Sequence, residues 1–478
     1  MKRSGPASLN KSQKDFKLPE SALSNTTKPN LIYFHVDNLG FGELGCYGGG
    51  ELRGAPTPRI DQFAKEGFKL LNFAPEAQCT PTRAALLTGR YAIRTGCHSV
   101  PFPGGQEVGL VAWEKTMGDI LSENGYASAC YGKWHLGESK GRFATDHGFD
   151  EWYGPIRSYD ECLWPTRAEY NPARDCKSPI MEGRRNEEVT KAIDMMTPEV
   201  RRDIDLEYLK RTESFIEKCI SRKQPFFLYF NHSMMHQPTI PRPEFMGKSG
   251  HGDFADSMLE LDHDFGKLLD LVERKGLSKN TIIVFAGDNG NEETRPWQGC
   301  SGIWEGSYFT GMEGSLRTPC LIRWPEKVPA DRQSNEIVHV ADMFTTLLRW
   351  TGFEIPQDRI IDGVDQRPLL EGTSAESARE GFPFWNGDKL YGIKWKDFKV
   401  AMVQQNNFWD PVQPYAVPRI YNLKTDPKER NHESVYYVWV AEHFGKILQD
   451  FMLSTAQEPL IPAGAPLDYN PYKPKIGR

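Results

Sequence analysis

The strongest constraint on the fold is a recurring unit in which a short apolar run ends in a polar turn and a helical pattern follows. Three of these runs are LIYFHV (31–36), FFLYF (226–230) and TIIVFAG (281–287). Short apolar runs bounded by Gly, Asp or Asn are typical of strands buried on both faces of a parallel sheet. The pattern therefore predicts an α/β fold, with a large, mostly parallel sheet flanked by helices on both faces.

Helical periodicity between the apolar runs supports this prediction. The segment VADMFTTLLRWTG (340–352) predicts one helix, and FADSMLELDHDFGKLLDLVERKGL (254–277) predicts a long amphipathic one. The second helix would place five apolar side chains on one face, namely Phe254, Met258, Leu261, Phe265 and Leu268.

The pattern changes after about residue 375, where KLYGIKWKDFKVAMVQ and PRIYNLKTDPKERN predict antiparallel strands joined by turns. With 478 residues, the chain is long enough for more than one structural unit. We predict a polar N-terminal tail at 1–29, a main α/β domain at 30–374, and a C-terminal subdomain with a small antiparallel sheet at 375–478.

Composition excludes several classes of protein. A net charge of −6 argues against a nucleic-acid partner, which usually requires a basic surface. No apolar run is long enough to span a membrane, and the N-terminus has no hydrophobic leader. We therefore expect no membrane span and a cytoplasmic location, or a periplasmic or secreted one if a leader has been removed. The odd count of nine cysteines favours reduced thiols.

Polar residues follow the predicted strands or begin helices, and in a parallel sheet these positions meet beyond the carboxyl ends of the strands. The candidates are Asp37 with Asn38, Cys79 with Arg83, Lys133 with His135 in GKWHLG, Asp288 with Asn289 in FAGDNG, and His236 in MMHQP.

Each cluster also has a purely structural explanation. Asp-Asn pairs are common turn residues, and a single cysteine is often a small buried apolar residue. Lys133 and His135 would share one face of a strand that could simply be solvated, and His236 could be an ordinary loop residue. Taken together, however, two carboxylates and two amides suit a divalent cation such as Ca²⁺. The arginine, lysine and histidines are suitable donors to a tetrahedral oxyanion.

The segment CTPTRAALLTGRY (79–91) resembles the signature of the type I sulfatases, in which Cys-x-Pro-Ser/Thr-Arg precedes a Leu-Thr-Gly-Arg run. The other motifs occur in the family's order over roughly residues 30–430, as VDNLGFGELGCYG, YGKWHLG, MMHQP, GDNG, EGSLRTP and RIYNLKTDP. The resemblance implies an alkaline-phosphatase-like fold with residues 30–374 as its catalytic domain. It also implies an arylsulfatase-like sulfuric ester hydrolase acting on a small-molecule or carbohydrate sulfate ester.

The resemblance implies a modified nucleophile. In this family the motif cysteine is oxidised to Cα-formylglycine, so a formylglycine-generating or other sulfatase-maturing enzyme would be a partner. The hydrated aldehyde at position 79 has one oxygen to attack sulfur and a second to expel sulfate afterwards, which a serine would lack. One Ca²⁺ would be bound by the side chains of residues 37, 38, 79, 288 and 289.

The same resemblance assigns roles to the charged residues. Arg83 would contact residue 79 and the metal-binding carboxylates. His135 would accept a proton from the diol as sulfate leaves. Lys133 and His236 would bind sulfate oxygens, and His236 would also protonate the leaving alkoxide.

Two positions depart from the family pattern. The first metal-binding pair is usually Asp-Asp, and Asn38 here removes one negative charge, which we expect to weaken Ca²⁺ binding or alter the choice of metal. Many members carry a lysine five residues before the glutamate that corresponds to Glu313, where this chain has Tyr308. Arg295 could replace that cation in substrate binding, or it could be a surface residue.

Two other functions remain open at this point, a phosphonate or phosphate ester hydrolase on the same scaffold and an inactive sulfatase-like binding protein. The reduced positive charge at Tyr308 favours the sulfate monoester, which carries one negative charge where a phosphate monoester carries two. Aromatic residues could line a substrate pocket or belong to the core, and they are Trp297, Trp304, Tyr308 and Phe309.

Overall fold

The computed structural model describes residues 28–101, 107–160, 168, 170–171, 173 and 178–473. All but the last two residues of the predicted tail lie outside these ranges. Within them, eleven strands form one mixed sheet. The strands are β1 (Asn30–Val36), β2 (Phe68–Ala74), β3 (Ala127–Tyr131), β4 (Glu151–Pro155), β5 (Ile180–Arg184), β6 (Thr190–Ile193), β7 (Phe226–His232), β8 (Thr281–Gly287), β9 (Thr318–Arg323), β10 (Arg332–Ser334) and β11 (Val338–His339).

The strand order is β10-β2-β9-β8-β1-β7-β3-β4-β5-β6, and β11 also pairs with β2. Strands β8, β1, β7, β3 and β4 run parallel in the centre. Antiparallel pairs involve β9 between β2 and β8, and β5 and β6 at the opposite edge. The predicted large, mostly parallel sheet is confirmed, and its central strands end at the same edge.

Helices cover both faces of this sheet, because alternate residues of β1 belong to different cores. Leu31 and Tyr33 pack into one apolar cluster, whereas Ile32, Phe34 and Val36 pack into the other. The helices on the first face are α2 (Cys79–Thr88), α4 (Met117–Glu123) and α8 (Val340–Trp350). Those on the second face are α1 (Pro58–Lys65), α5 (Pro198–Arg222) and α6 (Asp253–Arg274). Three shorter helices are α3 (Ala92–Thr95), α7 (Glu313–Leu316) and α9 (Arg367–Leu370).

The long amphipathic helix predicted from periodicity is α6. Met258, Leu261, Phe265 and Leu268 are buried on its inner face, and Phe254 is half-buried at its first turn. This apolar face fixes how the helix packs against the sheet.

The 25-residue helix α5 was not predicted from the sequence. Its buried face includes Arg201, Asp205 and Thr212, which interrupt the apolar stripe. The local signal is at its start, where Pro198 occupies the first turn and the Thr197 side chain accepts a hydrogen bond from a backbone N–H.

The C-terminal part contains the predicted small antiparallel sheet, followed by a helix that packs on it. Val440 and Phe444 contact the sheet at Ile393, Val400 and Ile420. The division at residue 374 stays a prediction. The elements are β12 (Gly381–Asn386), β13 (Lys389–Trp395), β14 (Phe398–Gln404), β15 (Gln413–Asn422) and α10 (Ala441–Gln457).

A buried ion network joins the small sheet to the main domain. The Glu313 carboxylate accepts hydrogen bonds from Lys394 at 2.6 Å and from Arg317 at 2.9 Å. Lys399 lies 2.5 Å from Glu429, and Glu429 in turn accepts a hydrogen bond from the Glu313 backbone N–H at 2.7 Å. Burial opposes ionisation of Glu313, but these cations hold its pKa well below the usual range.

Across the described ranges, no helix combines the length and apolarity needed to cross a bilayer. The seven cysteines within those ranges are free thiols. Cys162 and Cys176 lie outside the described residues.

Replacing Phe265 should show how strongly α6 supports the sheet. Its ring lies 5.0 Å from those of Phe34 and Phe63 and 4.9 Å from that of Phe285, measured between centroids. Because Phe265→Ala leaves a cavity among them, we expect a loss of about 3–5 kcal/mol in the free energy of unfolding, measured by denaturant titration. The control Lys267→Ala alters an exposed site of the same helix and should change it by less than ~0.5 kcal/mol. Equal losses of stability in Phe265→Ala and Lys267→Ala would contradict the conclusion that Phe265 supports the sheet.

Candidate active site

The centre of the site lies where β1 and β8 end side by side. These strands are parallel neighbours with Val36 opposite Gly287, so that Asp37 and Asp288 follow at the same edge. The Asn38 backbone N–H donates to Asp288 Oδ1 at 3.1 Å. Two carboxylates that are 251 residues apart in sequence therefore meet in a fully buried position.

Arg83 bridges these two carboxylates. Its Nη2 lies 2.9 Å from Asp288 Oδ2 and 3.4 Å from Asp37 Oδ2. Its Nη1 donates to Asn231 Oδ1 at 2.7 Å and to the Lys133 carbonyl at 3.0 Å. The guanidinium is 1% exposed, so it neutralises the carboxylates from inside the protein.

Cys79 is the first residue of α2, and Gly89, with φ of 70°, ends this helix. The Cys79 sulfur lies 3.3 Å from His135 Nδ1. Burial raises the pKa of the thiol to about 12. The unmodified cysteine would therefore be protonated at neutral pH and would be a poor nucleophile.

Lys133 is a buried cation paired with Asp37. Its Nζ donates to Asp37 Oδ2 at 2.9 Å and to Ser158 Oγ at 3.1 Å. Burial alone would lower the pKa of this ammonium, but Asp37 raises it above its usual value, so Lys133 is charged.

His236 is oriented by contacts at both ring nitrogens. The carbonyl oxygen of Gln237 lies 2.8 Å from His236 Nδ1. Because a carbonyl oxygen can only accept, Nδ1 carries the hydrogen and donates it. Its Nε2 lies 2.7 Å from Ser158 Oγ and 3.6 Å from Asp160 Oδ1. Burial lowers the pKa of the imidazole, but Asp160 and Asp37 together raise it above its usual value.

The two carboxylates differ in their electrostatics. Burial and the charge of Asp37 raise the pKa of Asp288 to about 6. Burial acts on Asp37 as well, but neighbouring cations, Lys133 foremost, hold its pKa well below its usual range. Asp37 is therefore readily ionised, whereas ionisation of Asp288 requires a further positive charge nearby.

Two oxygen atoms are available for a cation. Asp37 Oδ1 and Asn289 Oδ1 are buried and have no hydrogen-bond partner among the described residues. Both are hard oxygen donors of the kind that Ca²⁺ prefers. Within the described ranges no group of three or more His, Cys, Asp or Glu side chains could hold a metal. The donor set predicted from the sequence contains two carboxylates and two amides, which suits Ca²⁺, although Asn38 Oδ1 here accepts a hydrogen bond from Asn289 Nδ2 at 2.6 Å.

Glu292, which the sequence analysis did not identify, connects the two positions that depart from the family pattern. Its Oε2 accepts a hydrogen bond from Asn38 Nδ2 at 2.9 Å, and its Oε1 accepts one from the Tyr308 hydroxyl at 3.0 Å. The residue is fully buried. A carboxylate absent at position 38 is therefore present one hydrogen bond away.

A cavity of about 240 Å³ opens onto Cys79, His135 and His236. Tyr308 and Phe309 line it, in line with one of the two alternatives for the aromatic residues, and Phe408 and Trp409 from the C-terminal part complete the aromatic wall. The ring centroids of Phe309 and Phe408 lie 4.7 Å apart.

The remaining predicted residues lie elsewhere. Arg295 is exposed, and neither it nor Trp297 nor Trp304 is among the described residues that line the cavity. Trp304 packs beneath the guanidinium of Arg317, 3.9 Å from its ring centroid. The role of Arg295 as a substitute for the lysine stays a prediction.

Comparisons with known proteins identify the family. A family model described as Sulfatase matches residues 29–353, and one described as N-sulphoglucosamine sulphohydrolase, C-terminal, matches residues 308–452. The chain is 31% identical to N-acetylgalactosamine-6-sulfatase of Canis lupus familiaris over 462 residues, which cover 88% of this chain and 85% of that protein. It is 32% identical to arylsulfatase D of Homo sapiens, covering 88% and 86% of the two chains.

Solved structures agree with this result. The sulfatase PsFucS1 from Pseudoalteromonas sp. superimposes with a TM-score of 0.85 and 29% identity, covering 91% of this chain and 92% of that one. The phosphonate monoester hydrolase of Agrobacterium radiobacter matches with a TM-score of 0.57 and 18% identity over 90% of this chain and 96% of that one, which shows the fold alone. The chain belongs to the sulfatase family of the alkaline phosphatase superfamily and is a sulfuric ester hydrolase.

Proposed function

We propose that the chain cleaves sulfate monoesters at the cavity lined by Cys79, after this residue has been converted to formylglycine by a maturing enzyme. The observation that carries the proposal is the placement of the Cys79 sulfur 3.3 Å from His135 Nδ1, on the wall of the cavity that Asn38 and Asn289 also line. Formylglycine would supply, as its hydrate, one oxygen for attack and a second from which sulfate is expelled.

We assign the metal site to Asp37, Asn38, Asp288 and Asn289, together with residue 79. A bound Ca²⁺ would supply positive charge to the sulfate oxygens. The open oxygens of Asp37 and Asn289, and the raised pKa of Asp288, support a cation at this position.

The buried cations hold the anionic groups in place. Arg83 fixes both carboxylates from behind, and Lys133 offers its ammonium group to a sulfate oxygen while it remains paired with Asp37. Because both are buried, their charges act in a medium that screens them weakly.

Each of the two histidines would transfer one proton in the reaction. His135 Nδ1, 3.3 Å from the Cys79 sulfur, would take a proton from the side chain at position 79. His236, whose pKa is raised by Asp160 and Asp37 against the effect of burial, would donate the Nε2 proton to the leaving oxygen.

The aromatic wall supports a leaving group that contains a ring. Phe309, Phe408 and Trp409 present apolar surface beside the polar end of the cavity, and such surfaces suit an aryl group or the apolar face of a sugar. The N-acetylgalactosamine-6-sulfatases among the relatives are named for a sulfated sugar, and we extend this class of substrate to the present chain.

Conversion of Cys79 can be tested by producing the chain together with a maturing enzyme. We expect the peptide that contains residue 79 to lose its sulfur and react with a hydrazide probe, as shown by mass spectrometry. Cys79→Ala should abolish the probe signal and lower kcat on an aryl sulfate by at least ~10³-fold with an unchanged melting temperature. The control Cys97→Ala, at a buried cysteine of the same face of the sheet, should keep the aldehyde. Full activity with an unmodified thiol would overturn the assignment.

The role of His236 predicts a dependence on the leaving group. Without its general acid, His236→Ala should lose about 10²–10⁴-fold in kcat/KM for an alkyl or sugar sulfate. The loss should be much smaller for an aryl sulfate whose phenolate leaves without protonation. Steady-state kinetics on the two substrates measure the difference, and equal losses on both would show that His236 binds sulfate only.

The hydrogen bond between Asn38 and Glu292 predicts a charge exchange. Glu292→Gln removes negative charge beside the metal site, so Ca²⁺ should bind at least ~10-fold more weakly to the chelator-treated protein in calorimetry. Asn38→Asp places two carboxylates in contact and should lower the melting temperature. The double variant Asn38→Asp/Glu292→Gln restores one charge and one hydrogen bond, and should recover both quantities.

A control for this cycle is Glu326→Gln, which removes an exposed carboxylate and should leave Ca²⁺ affinity unchanged. Additive effects in the double variant would mean that the two side chains act independently of each other.

A further inference from the structure

A second cavity lies along the small antiparallel sheet. Its volume is about 370 Å³, within the range of about 300–1,000 Å³ typical of small-molecule sites. Its walls come from β13, β14, β15 and the turn at 428–430, with Glu305 and 311–312 of the main domain opposite. It shares none of its described lining residues with the cavity at Cys79.

This second cavity carries positive charge that no described acid neutralises. Arg430 is paired with Glu305 at 2.8 Å, and Glu429 is paired with Lys399 beneath the cavity floor. Arg419 and Lys428 remain, and neither has a carboxylate partner among the described residues.

Arg419 is held by an aromatic neighbour instead. Its guanidinium lies 4.0 Å from the centroid of the Tyr415 ring, and its Nη1 donates to the Tyr415 hydroxyl at 3.3 Å. Tyr391 and Tyr421 also line the cavity, together with the amide of Gln405. Tyrosine rings and amides suit the mixed polar and apolar faces of a sugar, and an unpaired guanidinium suits a carboxylate or sulfate.

A short segment of chain connects the two cavities. Gln405 lines the second cavity and donates through Nε2 to the Phe408 carbonyl at 3.4 Å, while Phe408 and Trp409 line the first. The Tyr391 hydroxyl donates to Gln405 Oε1 at 2.9 Å. Trp409 is 72% exposed beside this segment, so a linear ligand could extend from one cavity to the other across an aromatic surface.

We propose that the second cavity binds an anionic sugar residue of an oligosaccharide whose sulfated residue occupies the cavity at Cys79. The proposal rests on the proposed function, since it places the scissile sulfate at residue 79. The first cavity has room for about one ring, so the rest of a longer substrate must lie elsewhere, and Arg419 with Lys428 provides a site for its next acidic group.

Binding can be measured on the Cys79→Ala protein, which avoids turnover. The probes are tetrasaccharides of chondroitin sulfate, heparan sulfate and carrageenan, of which the first two carry carboxylates as well as sulfates and the third carries sulfates alone. We expect at least one to bind in calorimetry, and Arg419→Ala/Lys428→Ala to weaken that binding at least ~10-fold at low salt. The control Lys424→Ala, in the same region but outside the cavity, should have no effect.

Kinetics separate this site from the catalytic one. The double variant should raise KM for the bound oligosaccharide about tenfold and leave its kcat within about twofold, while 4-nitrocatechol sulfate, which needs only the first cavity, should be hydrolysed as by the unaltered enzyme. The proposal is overturned if no tetrasaccharide binds, or if the double variant binds the tetrasaccharide as tightly as the parent protein. It is also overturned if the double variant hydrolyses the oligosaccharide and 4-nitrocatechol sulfate with equal losses. Failure of the unaltered enzyme to hydrolyse either substrate would instead refute the proposed function.

Discussion

The site depends on the burial of two like charges next to each other. Asp37 and Asp288 are fully buried at the ends of adjacent strands, and without compensation such a pair would disrupt the edge of the sheet. Arg83 supplies the compensation, because the first turns of α2 carry it to the point where both carboxylates lie within hydrogen-bond distance. The helix that presents Cys79 to the cavity therefore also holds the two carboxylates in place through Arg83.

This coupling links the position of residue 79 to the positions of Asp37 and Asp288. Residues 79 and 83 are four apart on α2, so any displacement of the helix would move both. Burial raises the pKa of the Cys79 thiol, so the unmodified side chain carries no thiolate at neutral pH, which agrees with the proposed conversion to formylglycine.

The sequence was sufficient for the features that are local. Each apolar run followed by a polar turn became a strand with its ligand-like residues at the carboxyl end, and the ordered motifs identified the family. The Glu292 contact was not predictable, because it joins Asn38 to a residue 254 positions later in a loop with no periodic pattern. Phe408 and Trp409 were missed for a similar reason, since only the packing of the small sheet brings them to the cavity.

Arg295 and Tyr308 illustrate the limits of arguing from spacing alone. Tyr308 does line the cavity at the position of the usual lysine, but its hydroxyl is bound by a buried carboxylate that proximity in sequence did not suggest. Arg295 is close in the chain to Asp288 and Asn289 and yet is exposed. Charge balance in the site is therefore decided by residues from several loops.

The ion network around Glu313 bears on how the molecule unfolds. Lys394 and Lys399 come from the small sheet, and Glu313 and Arg317 come from the main domain. Separating the two sheets would leave buried charged groups without their counterions, at a large cost in free energy. Partial opening of the small sheet alone is thus disfavoured, and both sheets should melt in a single cooperative transition.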